Sequence, residues 1–406
     1  MSVGLFSPDR LLPVAGIRLA AASAGIYSSN RSDLMLIALD EGTTVSAVFT
    51  KNAFAAAPVI VARKHIHKMN PRFCLVNAGN ANAGTGEQGI SNSIETCKKL
   101  AEISGCLPEE VLPFSTGVIG QNLPANKINR ALPSLYKNLA EDCWLHCAKS
   151  IMTTDTLPKG ISKQVTVDGA TVTITGIAKG AGMIRPDMAT MLAFIATDAN
   201  IEKGILDEML MMAVNVSFNR ICIDGDMSTN DACMVMASGK SKMQRINNID
   251  SESCQLLQAA LNDVCILLAQ SIVRDGEGAT KFITVSVEKG ENSQECLDVA
   301  YAIATSPLVK TAFFASDPNW GRILAVVGRS GIKNLDIGRV SIYLDELAIV
   351  TNGIRDDEYT EERGQESMSR PEIQVRVILN RGSISETVWT ADFSYDYVRI
   401  NAEYRS

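Results

Sequence analysis

Residues 191–196 (MLAFIA) are apolar at every position and follow a glycine cluster made of Gly176, Gly180 and Gly182. An unbroken apolar run of this length is most simply a strand buried on both faces, so other elements must cover it on two sides. Just upstream, residues 164–167 and 170–177 flank Asp168-Gly169, the clearest hairpin signal in the chain. Thr190 therefore stands at the start of a buried strand, behind a glycine-rich approach. Strand patterns recur at 34–39, 44–49, 73–76, 282–288, 340–343 and 372–379, with a terminal hairpin through Trp389. The first two flank a turn at residues 40–43, as a hairpin would. Helical periodicity covers 91–103, 125–151, 201–215, 251–273 and 306–314. Such alternation predicts an α/β (α+β) layered protein. No repeat, low-complexity segment or clear linker marks a domain boundary in the 406 residues.

Composition removes several function classes. With 46% hydrophobic and 20% charged residues, the chain has an ordinary globular composition and enough length to need neither disulfide nor metal for stability. A net charge of −7 gives no basic footprint for nucleic acid or an anionic membrane. Residues 11–26 resemble a secretory apolar segment, but Arg18 interrupts it and Asp9 precedes it. No uncharged apolar run approaches the ~18–20 residues a membrane helix needs. The ten scattered cysteines form no C-x-x-C pair and suit buried free thiols in a reducing cytosol, so a cytoplasmic protein is expected.

Several motifs read better as structure than as sites. Gly84-Thr85-Gly86-Glu87-Gln88-Gly89 matches the dinucleotide fingerprint literally, but residues 77–83 separate it from the strand signal ending at Val76. Pyrophosphate binding needs those glycines directly at the strand end. A turn-rich loop fits better, and a nicotinamide-dependent dehydrogenase is the alternative from another class. His65 and His67 would share one face of a strand without a third ligand nearby; Cys143, His146 and Cys147, on a helix, lack a second ligand pair. Residues 224–231 resemble half a calcium loop, with Thr229 and Val235 where glycine and glutamate belong. No metal is expected. Three histidines in all leave few bases for a Ser-His-Asp triad. A hydroxyl nucleophile without histidine can use its own α-amino group, of ordinary pKa about 7.7–8.0, once the chain is cut before it. Ala189-Thr190 offers a small acyl-side residue and a bendable approach, although a threonine at a strand start is usually only a strand residue.

The segment Lys179-Gly180-Ala181-Gly182-Met183-Ile184-Arg185-Pro186-Asp187-Met188-Ala189-Thr190-Met191-Leu192 closely resembles the cleavage-site motif of the ornithine acetyltransferase family, also called bifunctional glutamate N-acetyltransferases. Residues 49–52, 77–84, 115–120, 152–156, 222–232, 275–278, 316–322 and 400–404 resemble the same family in the same order. The resemblance implies an N-terminal-nucleophile-like fold and a precursor that cleaves itself between Ala189 and Thr190. The products would be an α chain of residues 1–189 and a β chain of residues 190–406, paired into an α2β2 heterotetramer. It also implies acetyl transfer from N2-acetyl-L-ornithine to L-glutamate through an acetyl-Thr190 ester, with no cofactor and with acetyl-CoA as co-substrate in some members.

In the same resemblance Thr190 is the nucleophile, and the Thr116 hydroxyl and Gly117 N–H are the oxyanion donors. The substrate contacts are Thr153, Lys179, Thr190, Glu277, Asn401 and Ser406. A cation at Lys179 suits the α-carboxylate both substrates share, and Glu277 suits the ornithine ammonium while repelling the γ-carboxylate of glutamate. Read alone, Lys179 is a surface charge after a hairpin, Glu277 a helix-end carboxylate and Thr116-Gly117 a turn. Asn401 falls in residues 398–401, which read as strand. Ser406 is the last residue and serves only if the tail docks back over the pocket. The nearest rival is an amidohydrolase or aminopeptidase in which water takes the acyl group; another is an uncleaved relative that only binds.

Overall fold

The computed structural model describes residues 2–29, 31–185 and 191–403. The Ala189-Thr190 junction and Ser406 lie outside the described residues. In chain order the strands begin with β1 (Ile17–Ala22), β2 (Leu34–Leu39), β3 (Thr44–Phe49), β4 (Phe73–Asn80), β5 (Val111–Val118), β6 (Lys159–Val167), β7 (Ala170–Lys179) and β8 (Leu192–Thr197). They continue with β9 (Ile221–Cys222), β10 (Ala232–Ala237), β11 (Phe282–Gly290), β12 (Ser341–Leu344), β13 (Leu347–Thr351), β14 (Ile354–Arg355), β15 (Glu372–Ile378) and β16 (Ile384–Ala391). The helices of the first half are α1 (Ala57–Lys68), α2 (Gly86–Ser104), α3 (Ala125–Lys137) and α4 (Trp144–Ser150). Those of the second are α5 (Lys203–Val216), α6 (Glu252–Arg274), α7 (Ser293–Ala304), α8 (Pro307–Phe314), α9 (Trp320–Gly328), α10 (Glu361–Met368) and α11 (Tyr395–Ala402).

Strand order is β1-β2-β4-β5 in one sheet, β3-β10-β8-β7-β6 in a second and β14-β13-β12-β15-β11-β16-β9 in a third. The first two sheets share a core that includes Ile37, Val76, Phe114, Ile177, Phe194 and Met234. Phe114 meets Phe194 edge-on across it, ring centroids 5.2 Å apart. Leu100 of α2 and Leu132 of α3 pack on the outer face of the first sheet. Leu210 of α5 and Leu261, Val264 and Leu268 of α6 pack on the outer face of the second. In this mixed α/β protein these two sheets and their helices are layered helix, sheet, sheet, helix, while the third sheet builds a separate core with α7, α8, α9 and α10. β8 is the middle of it: all six residues are buried, Leu192, Phe194 and Ala196 between the sheets and Ala193 and Ile195 toward α5 and α6. That is the double cover its apolar run demanded.

Other elements depart from the sequence reading. β2 and β3 do not pair as a hairpin; β2 lies between β1 and β4, whereas β3 is the edge of the second sheet beside β10. Residues 125–151 form two helices, because Ala140 leaves the helical path and exchanges hydrogen bonds with Leu19 on edge strand β1 (2.8 and 2.9 Å). β16 pairs with β11, which separates it from β15, so the C-terminal strands are no hairpin. His65 and His67 lie on α1, where His65 Nδ1 meets the Val111 carbonyl at 2.8 Å. Residues 398–401 belong to α11, capped by Ser394, whose hydroxyl accepts from Tyr397 N–H. α6 is long and apolar enough to cross a membrane by length and composition, yet its buried face fills the core between itself and β6–β7.

Candidate active site

The parallel pair β4–β5 stays paired to its C-terminal end, where the register shifts at Gly79 and Asn80. Asparagines hold this irregular end. Asn77 donates to the Asn80 carbonyl (2.9 Å) and accepts from Ser115 (2.6 Å), and Asn80 donates to the carbonyls of Gln121 and Asn122 (3.2 Å each). Asn82 donates to Gly89 O and Ser93 Oγ, and a Cβ on Gly89 would run into Thr85 and Asn82. The loop's own side chains therefore fill the space beside Gly89, the last glycine of the Gly84–Gly89 motif. Thr116 and Gly117 stand at this irregularity, paired with Ala78 and Gly79. Gly117 has φ +134, and a Cβ there would lie 2.5 Å from Asn80 N and closer still to the Gly79 backbone. Only glycine brings its amide this near the neighbouring strand.

Opposite Thr116, β7 ends at Lys179, whose buried ammonium donates to Thr116 Oγ1 at 3.1 Å. Burial lowers the Lys179 pKa below the ordinary lysine value, against the pull of nearby carboxylates. The glycine cluster then serves the packing. Gly176 faces Leu268 and Val264 of α6, Gly180 N–H donates to Asp155 Oδ1 (2.7 Å), and a Cβ on Gly182 would sit 2.5 Å from Glu277 Cδ. Glu277 N–H donates to the Ala181 carbonyl (2.7 Å), while its Oε2 accepts from Asn401 Nδ2 at 2.8 Å. Helix α11 thus brings Asn401 to the site.

The third wall comes from residues 228–230. Asn230 donates to the carbonyls of Ala81 (2.7 Å) and Ser115 (2.9 Å), tying this loop to the C-terminal end of β4–β5. Asp231 follows it, 1% exposed, with neither carboxyl oxygen hydrogen-bonded among the described residues. Burial pushes its pKa well above the ordinary aspartate value, and the Lys179 charge favours ionisation without offsetting that. Such a group keeps a proton that the unfolded chain releases, so stability falls as pH rises from the usual carboxylate range toward the folded value. Asp231→Asn is expected to remove this slope, at most about 1.4 kcal/mol per pH unit. Urea unfolding of both proteins from about pH 4 to about pH 7 measures it, and identical slopes would mean that Asp231 is ionised in the fold.

These walls enclose a cavity of about 220 Å³ lined by Thr116, Gly117, Thr153, Lys179, Glu277 and Asn401, together with Gly182, Met183 and residues 228–230. Six site residues expected from the sequence are therefore neighbours, drawn from positions as far apart as 116 and 401. Ala189, Thr190 and Ser406 lie outside the described residues. Sequence reasoning missed Asp155 and Lys159 and weighed Asn230 and Asp231 only as part of a calcium-like loop, although Asp155, Asn230 and Asp231 fall inside stretches that carried the resemblance. Among the described residues no group of three or more His, Cys, Asp or Glu side chains could hold a metal.

Fold and cavity together define an enzyme of the layered α/β class, in which a buried cation, a carboxylate and a hydroxyl converge on one recess. A family model described as the ArgJ family matches residues 18–406. The arginine biosynthesis bifunctional protein ArgJ of Pseudomonas fluorescens is 53% identical over all 406 residues, covering 100% of both chains. That of Methylococcus capsulatus is 56% identical over 400 residues, 98% of each. Among solved structures, arginine biosynthesis bifunctional protein ArgJ from Bacillus halodurans is 38% identical (TM-score 0.49), covering 51% of this chain and 96% of that one. Ornithine acetyltransferase complexed with ornithine, from Mycobacterium tuberculosis, is 29% identical (TM-score 0.38), covering 44% and 95%. The chain belongs to the ArgJ family.

Proposed function

We propose that this enzyme of arginine biosynthesis transfers an acetyl group from N2-acetyl-L-ornithine to L-glutamate, after cleaving itself between Ala189 and Thr190. The observation that carries this reading is the convergence of Thr116, Gly117, Thr153, Lys179, Glu277 and Asn401 on one cavity. In the precursor, the Thr190 hydroxyl attacks the Ala189 carbonyl, and hydrolysis of the resulting ester frees the Thr190 amine. That amine, directly or through water, then takes the hydroxyl proton as Thr190 attacks the acetyl carbonyl. Ornithine leaves with its amine protonated, and the neutral amine of glutamate attacks the acetyl-Thr190 ester.

Each tetrahedral intermediate carries an oxyanion. Because Lys179 donates to Thr116 Oγ1, the hydroxyl's own proton is directed away from Lys179 and free to meet that charge beside Gly117 N–H. One Lys179 donor is thus engaged, which leaves others for the α-carboxylate of the substrate. Glu277 suits the ornithine ammonium, with Asn401 holding one of its oxygens.

The reading extends to an N-terminal-nucleophile-like fold, chains 1–189 and 190–406 assembled as α2β2, and acetyl-CoA as a second acetyl source. The name "bifunctional" carried by the 53%-identical relative supports the last of these. Ten unpaired cysteines, most of them buried, suit a cytoplasmic setting. Ornithine release from acetylornithine, with and without glutamate, tests the central claim. Release unchanged by glutamate, with no N-acetylglutamate formed, would make the protein a hydrolase instead. Glu277→Gln is expected to raise KM for acetylornithine about 10–100-fold, the cost of one charge-assisted contact, with a smaller effect on kcat. Steady-state kinetics check this, and an unchanged KM would remove Glu277 from ammonium binding.

A further inference from the structure

Behind the cavity lies an ion network that the acyl-transfer steps do not use. Asp155, Lys159 and Asp275 have fully buried side chains, and Lys159 Nζ donates to Asp155 Oδ1 and to Asp275 Oδ2 at 2.6 Å each. Burying three charges forfeits their hydration, a loss that only full hydrogen bonding offsets. Here the bonding is full. Asp155 Oδ1 also accepts Gly180 N–H (2.7 Å) and its Oδ2 accepts Thr153 N–H (3.0 Å). Asp275 accepts from Thr156 N–H (2.9 Å), Leu157 N–H (3.3 Å) and the Thr156 hydroxyl. The network therefore grips three edges of the cavity: Thr153, the Lys179-Gly180 corner and the loop where Glu277 follows Asp275 by two residues.

We propose that Asp155 is a positioning residue of this site: anchored by Lys159, it fixes the backbone at Thr153 and Gly180 and supplies the negative charge that keeps Lys179 a cation. Its consequence for substrate binding rests on the acyl-transfer reading; its geometry does not. The titratable groups acting on Lys179 are Asp155, Lys159, Asp231 and Glu277. Burial lowers the Lys179 pKa most and Lys159 adds to that, while Asp155 is the strongest of the opposing carboxyls. Asp231 is held back from ionising by its own burial. For Asp155 itself, burial works against the charge, yet Lys159, Lys179 and Gly180 N–H together hold its carboxyl below the usual carboxylate range. Asp155 is thus an anion throughout the working pH range, opposing the loss of the Lys179 proton.

Competitive labelling of the whole enzyme with acetic anhydride across pH, read by mass spectrometry of the peptide holding Lys179, tests this without an activity assay. Asp155→Asn is expected to move the Lys179 labelling midpoint roughly one unit or more toward low pH. Lys159→Gln should move it toward high pH, and the double variant, which removes one charge of each sign, should return it toward wild type. A strut without electrostatic reach would not give that return. If Asp155→Asn alone does not fold, the other two variants carry the comparison. Equal midpoints in the folded variants overturn the proposal, even where kcat/KM has fallen. A wild-type protein that transfers no acetyl group would overturn the functional reading and leave the labelling result standing.

Discussion

Replacing Thr190 with alanine is expected to yield a single full-length chain whose ornithine release is lowered about 10⁴-fold or more. The size follows from the double use of one hydroxyl: it opens the peptide link before it and later carries the acetyl group. Alanine removes both uses, and the uncut chain also lacks the amine that serves as base. Serine keeps the hydroxyl and should restore part of each. Denaturing electrophoresis with intact mass reports the cut, and ornithine release reports the turnover. A Thr190→Ala protein that still arrives as two chains would mean that another group breaks the backbone.

Gly117→Ala should cost about 10²–10³ in kcat, comparable to losing an oxyanion donor. A methyl group there meets the Gly79–Asn80 backbone at 2.5 Å or less, so either β4 moves away or the Gly117 amide turns from its aim. The φ of +134 adds strain of order 1–3 kcal/mol for any side chain. Gly120 offers the control, since its φ is +84 but a Cβ there meets nothing within 4 Å. Gly120→Ala should therefore lose stability without the large fall in kcat. Urea unfolding and kcat on both variants separate strain from collision. Equal kcat values for the two would detach Gly117 from the chemistry.

What could be read from the sequence was mostly local. The hairpin β6–β7 carries its turn in two residues, Asp168 (φ 51) and Gly169 (φ 75), and β8 declares itself by apolarity alone. What escaped was partnership across distance. β2 and β3 look like a hairpin because a turn joins them, but their buried faces belong to different sheets. The short α11 reads as a strand because Tyr395 and Val398, two of its large apolar residues, are exposed at 84% and 65%, so no buried stripe marks a helix. The site was legible as a set of motifs, whereas its support was not. Lys159 and Asp275 are 116 positions apart, and nothing in either neighbourhood announces the other. The roles of Asn77, Asn80 and Asn82 likewise appear only once β4 and β5 lie side by side.

The second sheet has an interleaved order. β8 and β10, from beyond residue 190, are wedged between β3 and β7, from before it, with six facing positions along each seam. Severing the backbone between residues 185 and 191 would cut one thread of a weave whose warp and weft stay crossed. Parting the pieces would mean unzipping both seams together and leaving each half with raw sheet edges. The second sheet is complete only with strands from both halves, and a severed molecule would hold together much as an intact one does.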